Sequence, residues 1–200
     1  MRIPSQNQCF DLIREMEMLA HIVDHSLQVC RVALFLTENL NIRSENCDLN
    51  YHLVLASALL HDITKTRSFN TGENHAETGG LLLKELDYPE VGDIIAQHVR
   101  LWRYDENCGI NEAAIVNYAD KRVVHDRIVP FAERMEYILD RYGKIAEYRE
   151  KLQWLWKKSV QLEEKIFCDL PFGPDDLVRL VDSIELPFEK PHSSGDPSSR

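Results

Sequence analysis

The chain has 200 residues, 44% hydrophobic and 28% charged, which suits one domain with a sizeable core and excludes wholesale disorder or a coiled-coil rod. Its 23 Lys and Arg against 33 Asp and Glu give a net charge of −10, a balance that repels phosphate backbones and argues against sequence-independent binding of long nucleic acid. The longest clean apolar run, VLASALL at residues 54–60, is far below a membrane span, and MRIPSQNQCFDLIREMEM at the start is too polar for a secretory signal, so a cytoplasmic protein without a membrane partner is expected.

Nearly every segment repeats its apolar residues at helical spacing, and almost none alternates as a strand does. Residues 10–18 read as a first helix. Residues 21–40 form a second, with Val29, Val32 and Leu36 on one stripe, and residues 51–62 a third, very apolar one. Residues 67–73 read as a loop around Gly72. Asn74 caps a fourth helix to about residue 86, with Glu77 placed to complete a capping box. Pro89 opens a fifth, to about residue 99. After a loop at 105–109, Asn111 caps a sixth helix to about His125. Pro130 opens a long charged helix to about Cys168, bent near Gly143. Pro171, Gly173 and Pro174 break the chain before a short helix at 175–184. Residues 187–200, rich in Pro, Ser and Gly, read as a disordered tail. The expected architecture is all-α: a core over residues 1–128, a C-terminal helical extension over 129–186 packed on the same domain, and the tail. The five scattered cysteines form no C-x-x-C pair and read as reduced thiols.

Polar residues interrupt the apolar stripes in a consistent way. His25 leads Val29, Val32 and Leu36 at offsets of four, seven and eleven. His61 and Asp62 end the run VLASALL. His75 leads Gly79, Leu82 and Leu86 at the same offsets, Val91, Ile94 and Ile95 lead to His98, and Asp120 shares a face with Val116 and Val123. A lone histidine on such a face is more often a hydrogen-bonded core residue than a ligand. A buried, unpaired carboxylate is far costlier, and the stripes around Asp62 and Asp120 carry no Lys or Arg. Four neutral imidazoles and two carboxylates around divalent cations would satisfy all six residues. This donor set suits Zn, Fe, Mn or Co, and the lack of thiolate argues against a structural zinc site. Six ligands exceed the need of one catalytic metal, so two ions with Asp62 as the bridge is the natural arrangement.

His25, then His61-Asp62, then Asp120, in the strings HSLQVCRVALFL, ASALLHDITK and NYADKRV, resemble the HD-domain metal-dependent phosphohydrolase superfamily over about residues 19–126. The resemblance implies that His25, His61, Asp62 and Asp120 bind metal. Two-metal members add two histidines in the interval held here by His75 and His98. The cofactors it implies are two divalent ions, Fe or Mn foremost, with Zn, Co, Ni or Mg as further choices. HDITK resembles the HDIGK string of the HDIG subgroup, with Thr64 in place of glycine, and Lys65 takes the position that faces the substrate phosphate there. QHVR around His98 and the lack of a GYP string disfavour the cyclic-dinucleotide branch, and the spacing looks closer to bacterial diadenosine-tetraphosphate hydrolases.

The implied reaction is cleavage of a phosphate ester or anhydride of a nucleotide or related small phosphate, as a phosphomonoesterase, phosphodiesterase or dinucleoside-polyphosphate hydrolase, by hydroxide bridging the metals. Asp62 would orient the water and Lys65 would neutralise charge on the phosphoryl oxygens. Arg67, Arg100, Lys121 and Arg122 are further candidates for phosphate binding, Arg100 foremost because it lies two residues past His98. The alternative is a regulatory nucleotide-sensing module on the same metal-binding fold. His21 is expected at the rim of the site, and His52, His125 and His192 carry no supporting pattern. The charged run EYREKLQWLWKKSVQLEEK fits a solvated helix and a homodimer contact.

Overall fold

Residues 1–43, 47–103, 109–144 and 146–182 are described by a computed structural model. The tail at 187–200, His192 and Cys108 lie outside the described residues. Helix α1 (Gln6–Glu15) starts four residues earlier than apolar periodicity predicts. Ser5 and Gln8 form a capping box there, each side chain accepting from the other's backbone N–H.

Helix α2 (Ala20–Arg43) is the spine of the fold, with residues from Ile22 to Leu40 buried along it. Helix α3 (Tyr51–Leu60) is capped by Asn50 and buries every residue from Leu53 to Leu60. Helix α7 (Glu112–Asp120), capped by Asn111, buries Ala113 to Ala119. Both α3 and α7 pack on α2. A turn at residues 61–64 leads into α4 (Lys65–Thr71), which occupies the segment expected as a loop and ends where Gly72 adopts a left-handed φ of 70°.

Asn74 caps α5 (His75–Glu85) through the backbone N–H of Ala76, and the reciprocal bond from Glu77 is not formed. Pro89 opens α6 (Pro89–Ile95), which stops four residues before the expected end and leaves His98 on the following turn. The α5–α6 crossing depends on two glycines. A Cβ on Gly92 would lie 2.5 Å from the Gly80 carbonyl oxygen, and one on Gly80 would lie 2.8 Å from that of Gly92. Backbone cannot yield as a side chain does, so Gly92→Ala is expected to destabilise the protein by about 1–3 kcal/mol, read as a lower urea midpoint.

The sixth helix ends at Asp120 rather than near His125. The β-branched pair Val123–Val124 forms β1, which pairs antiparallel with β2 (Arg127–Ile128) across a turn at His125 and Asp126. His125 holds a left-handed φ of 57° in that turn. The long charged helix divides into α8 (Phe131–Tyr142) and α9 (Ala146–Phe167), with Gly143 ending α8 by donating its N–H to Leu139 O at 2.7 Å. A 3-10 turn at Pro174–Asp176 precedes α10 (Leu177–Asp182). The fold is therefore all-α apart from the two-residue hairpin among the described residues. No helix there is long and apolar enough to cross a membrane, and Cys9, Cys30, Cys47 and Cys168 are free thiols.

Buried Arg122 joins four of these elements. Its Nε donates to Val129 O at 2.9 Å, Nη1 to the Tyr118 hydroxyl at 2.7 Å, and Nη2 to Pro174 O at 2.9 Å. The Glu163 carboxylate on α9 stands 3.3 Å from Nη1 and accepts the Tyr118 hydroxyl at 2.5 Å.

Candidate metal centre

Helix ends position the site. His61 and Asp62 leave the buried C-terminus of α3, and the His61 Nδ1–H donates to Ala58 O at 2.8 Å. His98, on the turn after α6, donates Nδ1–H to Ile95 O at 2.7 Å. His25, near the start of α2, donates Nδ1–H to the carbonyl of His125 in the hairpin turn at 2.8 Å. A carbonyl only accepts, so in all three rings the proton resides on Nδ1 and Nε2 presents a lone pair. Backbone anchors of this kind orient imidazoles as metal ligands.

The three lone pairs converge on carboxylates. His25 Nε2 lies 3.0 Å from Asp120 Oδ1. His61 Nε2 lies 3.3 Å from Asp62 Oδ2 and 3.7 Å from Asp120 Oδ1. Asp62 Oδ1 stands 3.2 Å from His75 Nε2 and 3.5 Å from His98 Nε2, and those two nitrogens are 3.2 Å apart. All six residues expected from the stripes are thus brought together. Two triads have the geometry to hold an ion, His25-His61-Asp62 and Asp62-His75-His98, each with its ligand atoms within 4.8 Å of one another, and Asp62 belongs to both.

This arrangement requires positive charge. His61 and Asp62 are fully buried, yet His61 Nε2 and Asp62 Oδ1 have no hydrogen-bond partner. Each such orphan costs about 1–3 kcal/mol. Burial pushes the His98 pKa down to about 4, which keeps the ring neutral and ligand-competent near pH 7. Burial also works against the charged form of His61, but the Asp62 and Asp120 carboxylates outweigh it and raise its pKa. Asp62 stays well below the usual carboxylate range despite burial, because His61, His75 and His98 surround it. Four imidazoles and two carboxylates fit first-row divalent ions.

Asp62 is not without a lysine, as the stripe pattern implied. Lys65, one turn on, reaches back to it at 2.6 Å, and the carboxylates of Asp62 and Asp120 overcome burial to hold the ammonium's pKa above its ordinary value. Asp120 has a cationic neighbour as well, Arg134 of α8, with Nη2 at 3.6 Å. Sequence reasoning passed over Arg134. A cavity of about 200 Å³ opens beside these groups, lined by His21, His25, Asp62, Lys65, Phe69 and His125 and by the α8 residues Arg134, Tyr137, Ile138 and Arg141. His21 is in this lining, consistent with the rim position expected for it. His125, which has no supporting pattern in sequence, fixes the His25 tautomer through its carbonyl.

The remaining candidate phosphate binders lie elsewhere. Arg67 is exposed and pairs with Glu73 at 2.6 Å. Arg100 lies over the Trp154 ring at 5.2 Å, along a separate groove beside α9. Lys121 is buried, and its ammonium donates to the carbonyls of His98 at 3.2 Å and Asn117 at 3.1 Å. Asn117 also donates to His98 O, at 2.8 Å, and to Gln97 O, at 3.1 Å. Lys121 and Asn117 therefore fasten the turn that carries His98. Arg122 is committed to the interior contacts described above.

The HD domain family matches residues 22–123, slightly more than half of the chain. The chain belongs to the HD-domain family. The crystal structure of a predicted HD superfamily hydrolase from an uncultured Thermotogales bacterium is similar at 21% identity and a TM-score of 0.46, over 84% of this chain and 94% of that one. In this HD-domain protein the matched segment carries all six candidate ligands and Lys65, while α8 lies beyond it. The match is to the HD domain, and the likeness of HDITK to the HDIG subgroup rests on the sequence string alone. Where that subgroup has glycine, this HD-domain protein uses the buried Thr64 hydroxyl to hold His75 O at 2.8 Å, beside the Thr78 hydroxyl at 3.0 Å. A glycine offers no such tie between the His-Asp turn and the start of α5.

Proposed function

We propose that the protein is a divalent-metal-dependent phosphohydrolase that cleaves a phosphate ester or anhydride of a nucleotide or related small phosphate. The observation that carries this reading is the set of three Nδ1-anchored imidazoles whose lone pairs face two carboxylates, fully buried Asp62 and part-buried Asp120, with Asp62 common to both triads. His25, His61, Asp62 and Asp120 would hold one ion, and Asp62, His75 and His98 the second. Fe and Mn are the expected metals, ahead of Zn, Co, Ni and Mg. When bound, such ions lower the pKa of water and offset charge on phosphoryl oxygens.

The chain's own groups supply the rest. Lys65, about a third exposed at the cavity wall, is placed to share its charge between Asp62 and an incoming phosphoryl oxygen. Asp62, anchored on the rigid end of α3, orients the attacking water. The small cavity admits a phosphoryl group while the remainder of the substrate lies outside. Exposed Phe69 at the cavity offers a flat apolar surface to a base or sugar there.

The test is a panel of nucleotides and p-nitrophenyl phosphates with the Mn- and Fe-loaded protein, alongside His61→Ala. Turnover that persists at the wild-type rate in His61→Ala would overturn the reading. Lys65→Ala is expected to lower kcat about 100-fold with metal content unchanged, as for loss of one preorganised donor.

A further inference from the structure

We propose that Arg134 of α8, outside the family-matched segment, is a substrate-binding residue that grips the phosphoryl group, so that the C-terminal extension completes the active site. The inference rests on the phosphohydrolase reading for its choice of ligand, an anionic phosphoryl group, and on geometry for its choice of residue.

Arg134, Tyr137, Ile138 and Arg141 stand at i, i+3, i+4 and i+7 on α8 and form one wall of the cavity that opens on Asp62 and Lys65. The Arg134 side chain is 13% exposed, and its guanidinium carbon lies 5.6 Å from the Tyr137 ring centroid. That places the guanidinium within cation–π range of the ring. The group is held beside Asp120, but at 3.6 Å it is too far for a good hydrogen bond, and its Nε is buried without a partner. A guanidinium in this state is half-satisfied, with donors still to place. Its closest approach to Asp120 is to Oδ1, the oxygen that His25 Nε2 and His61 Nε2 also face at 3.0 and 3.7 Å.

The other cations of the cavity are differently engaged. Lys65 is paired with Asp62 at 2.6 Å, and Arg141 donates to the Tyr137 hydroxyl at 2.7 Å. Arg134 alone among the three combines a buried, partnerless N–H with a place next to a candidate metal ligand. Its planar fork matches two phosphoryl oxygens, which an ammonium cannot do. The commitment is to a tetrahedral oxyanion seated between Arg134 and Lys65 at the mouth of the His25-His61-Asp62 triad.

The experiment uses the full-length Mn-loaded protein and two readouts, inorganic phosphate binding by calorimetry and p-nitrophenyl phosphate turnover. Arg134→Ala is expected to weaken phosphate binding about 100-fold and to retain the wild-type metal content. Guanidinium salts should partly restore turnover to the alanine variant but not to Arg134→Lys, which keeps the charge and loses the fork. Should Arg134→Ala fail to fold, Arg134→Lys decides by its phosphate affinity. Exposed Arg127→Ala serves as the control and should match the wild type. Unchanged phosphate affinity in both Arg134 variants overturns the proposal. Loss of metal from folded Arg134→Lys also overturns it, because Arg134 would then act through Asp120. A wild type that binds phosphate through Arg134 but turns over no substrate would leave this proposal standing and reject the hydrolase reading, while a wild type that binds no phosphate rejects this proposal.

Discussion

Asp62→Asn should strip the protein of bound divalent metal and lower hydrolysis by about 10⁴-fold, since several kcal/mol of charge stabilisation pass through this one carboxylate. The substitution keeps shape and burial, removes the charge that the two triads share and turns one ligand oxygen into an NH2 donor. His98→Ala makes the informative contrast, because it touches the Asp62-His75-His98 triad alone and should leave the His25-His61-Asp62 triad able to bind. Elemental analysis of the purified variants reads both effects. Melting with and without a chelator supplies a second measurement. A ligand at 100 times its Kd stabilises the folded state by about 2.7 kcal/mol, so chelation should lower the melting temperature of the wild type and leave Asp62→Asn unmoved. Two ions bound to Asp62→Asn at wild-type affinity would rule out the shared carboxylate.

The second large effect is on stability. Arg122→Ala is expected to cost about 3–5 kcal/mol, the range for removing one member of a buried ion pair. Measured stabilities of domains run to only about 5–15 kcal/mol in total. The loss would leave Val129 O, the Tyr118 hydroxyl and Pro174 O without their donor and Glu163 without its counter-charge. Arg122→Lys should recover little, because one ammonium cannot reach acceptors spread over three directions. Urea unfolding checks the magnitude. The hairpin whose turn carbonyl holds His25 is fastened to α7 through Arg122, so weaker metal binding in these variants should accompany the lost stability.

The candidate ligands were legible because burying a charge has a cost that sequence makes visible. Asp62 at the end of VLASALL and His75 and His98 in register with leucine and isoleucine stripes are polar groups where helix packing requires apolar ones. Lys121 and Arg122 lie away from the cavity because nearness in sequence is not nearness in space on a helix. Lys121 follows Asp120 by one residue and so projects about 100° around α7, toward the His98 carbonyl and away from the cavity. Arg122, another step round, points into the core.

Arg134 was missed for the opposite reason. It lies fourteen positions after Asp120, on a helix whose charged sequence reads as a solvated face, and only the tertiary fold brings that face to the site. The start of α4 was similarly hidden. KTRSFNT carries no apolar stripe, and none of the residues of α4 is fully buried. The capping box at Ser5 and Gln8, by contrast, stood in the sequence as an S-x-x-Q signal that apolar periodicity alone did not register.

Helix α7 carries Asn117 and Asp120 at i and i+3, and Lys121 caps its C-terminal end at i+4. The aspartate faces the His25 side of the centre, and the other two clasp the chain at His98 on the far side. The gap between the two halves is therefore gauged by a single rigid rod about two and a half turns long. Insertions in the surface loops can reshape what enters the cavity without altering that gauge, whereas a small shift or rotation of α7 would move both halves at once.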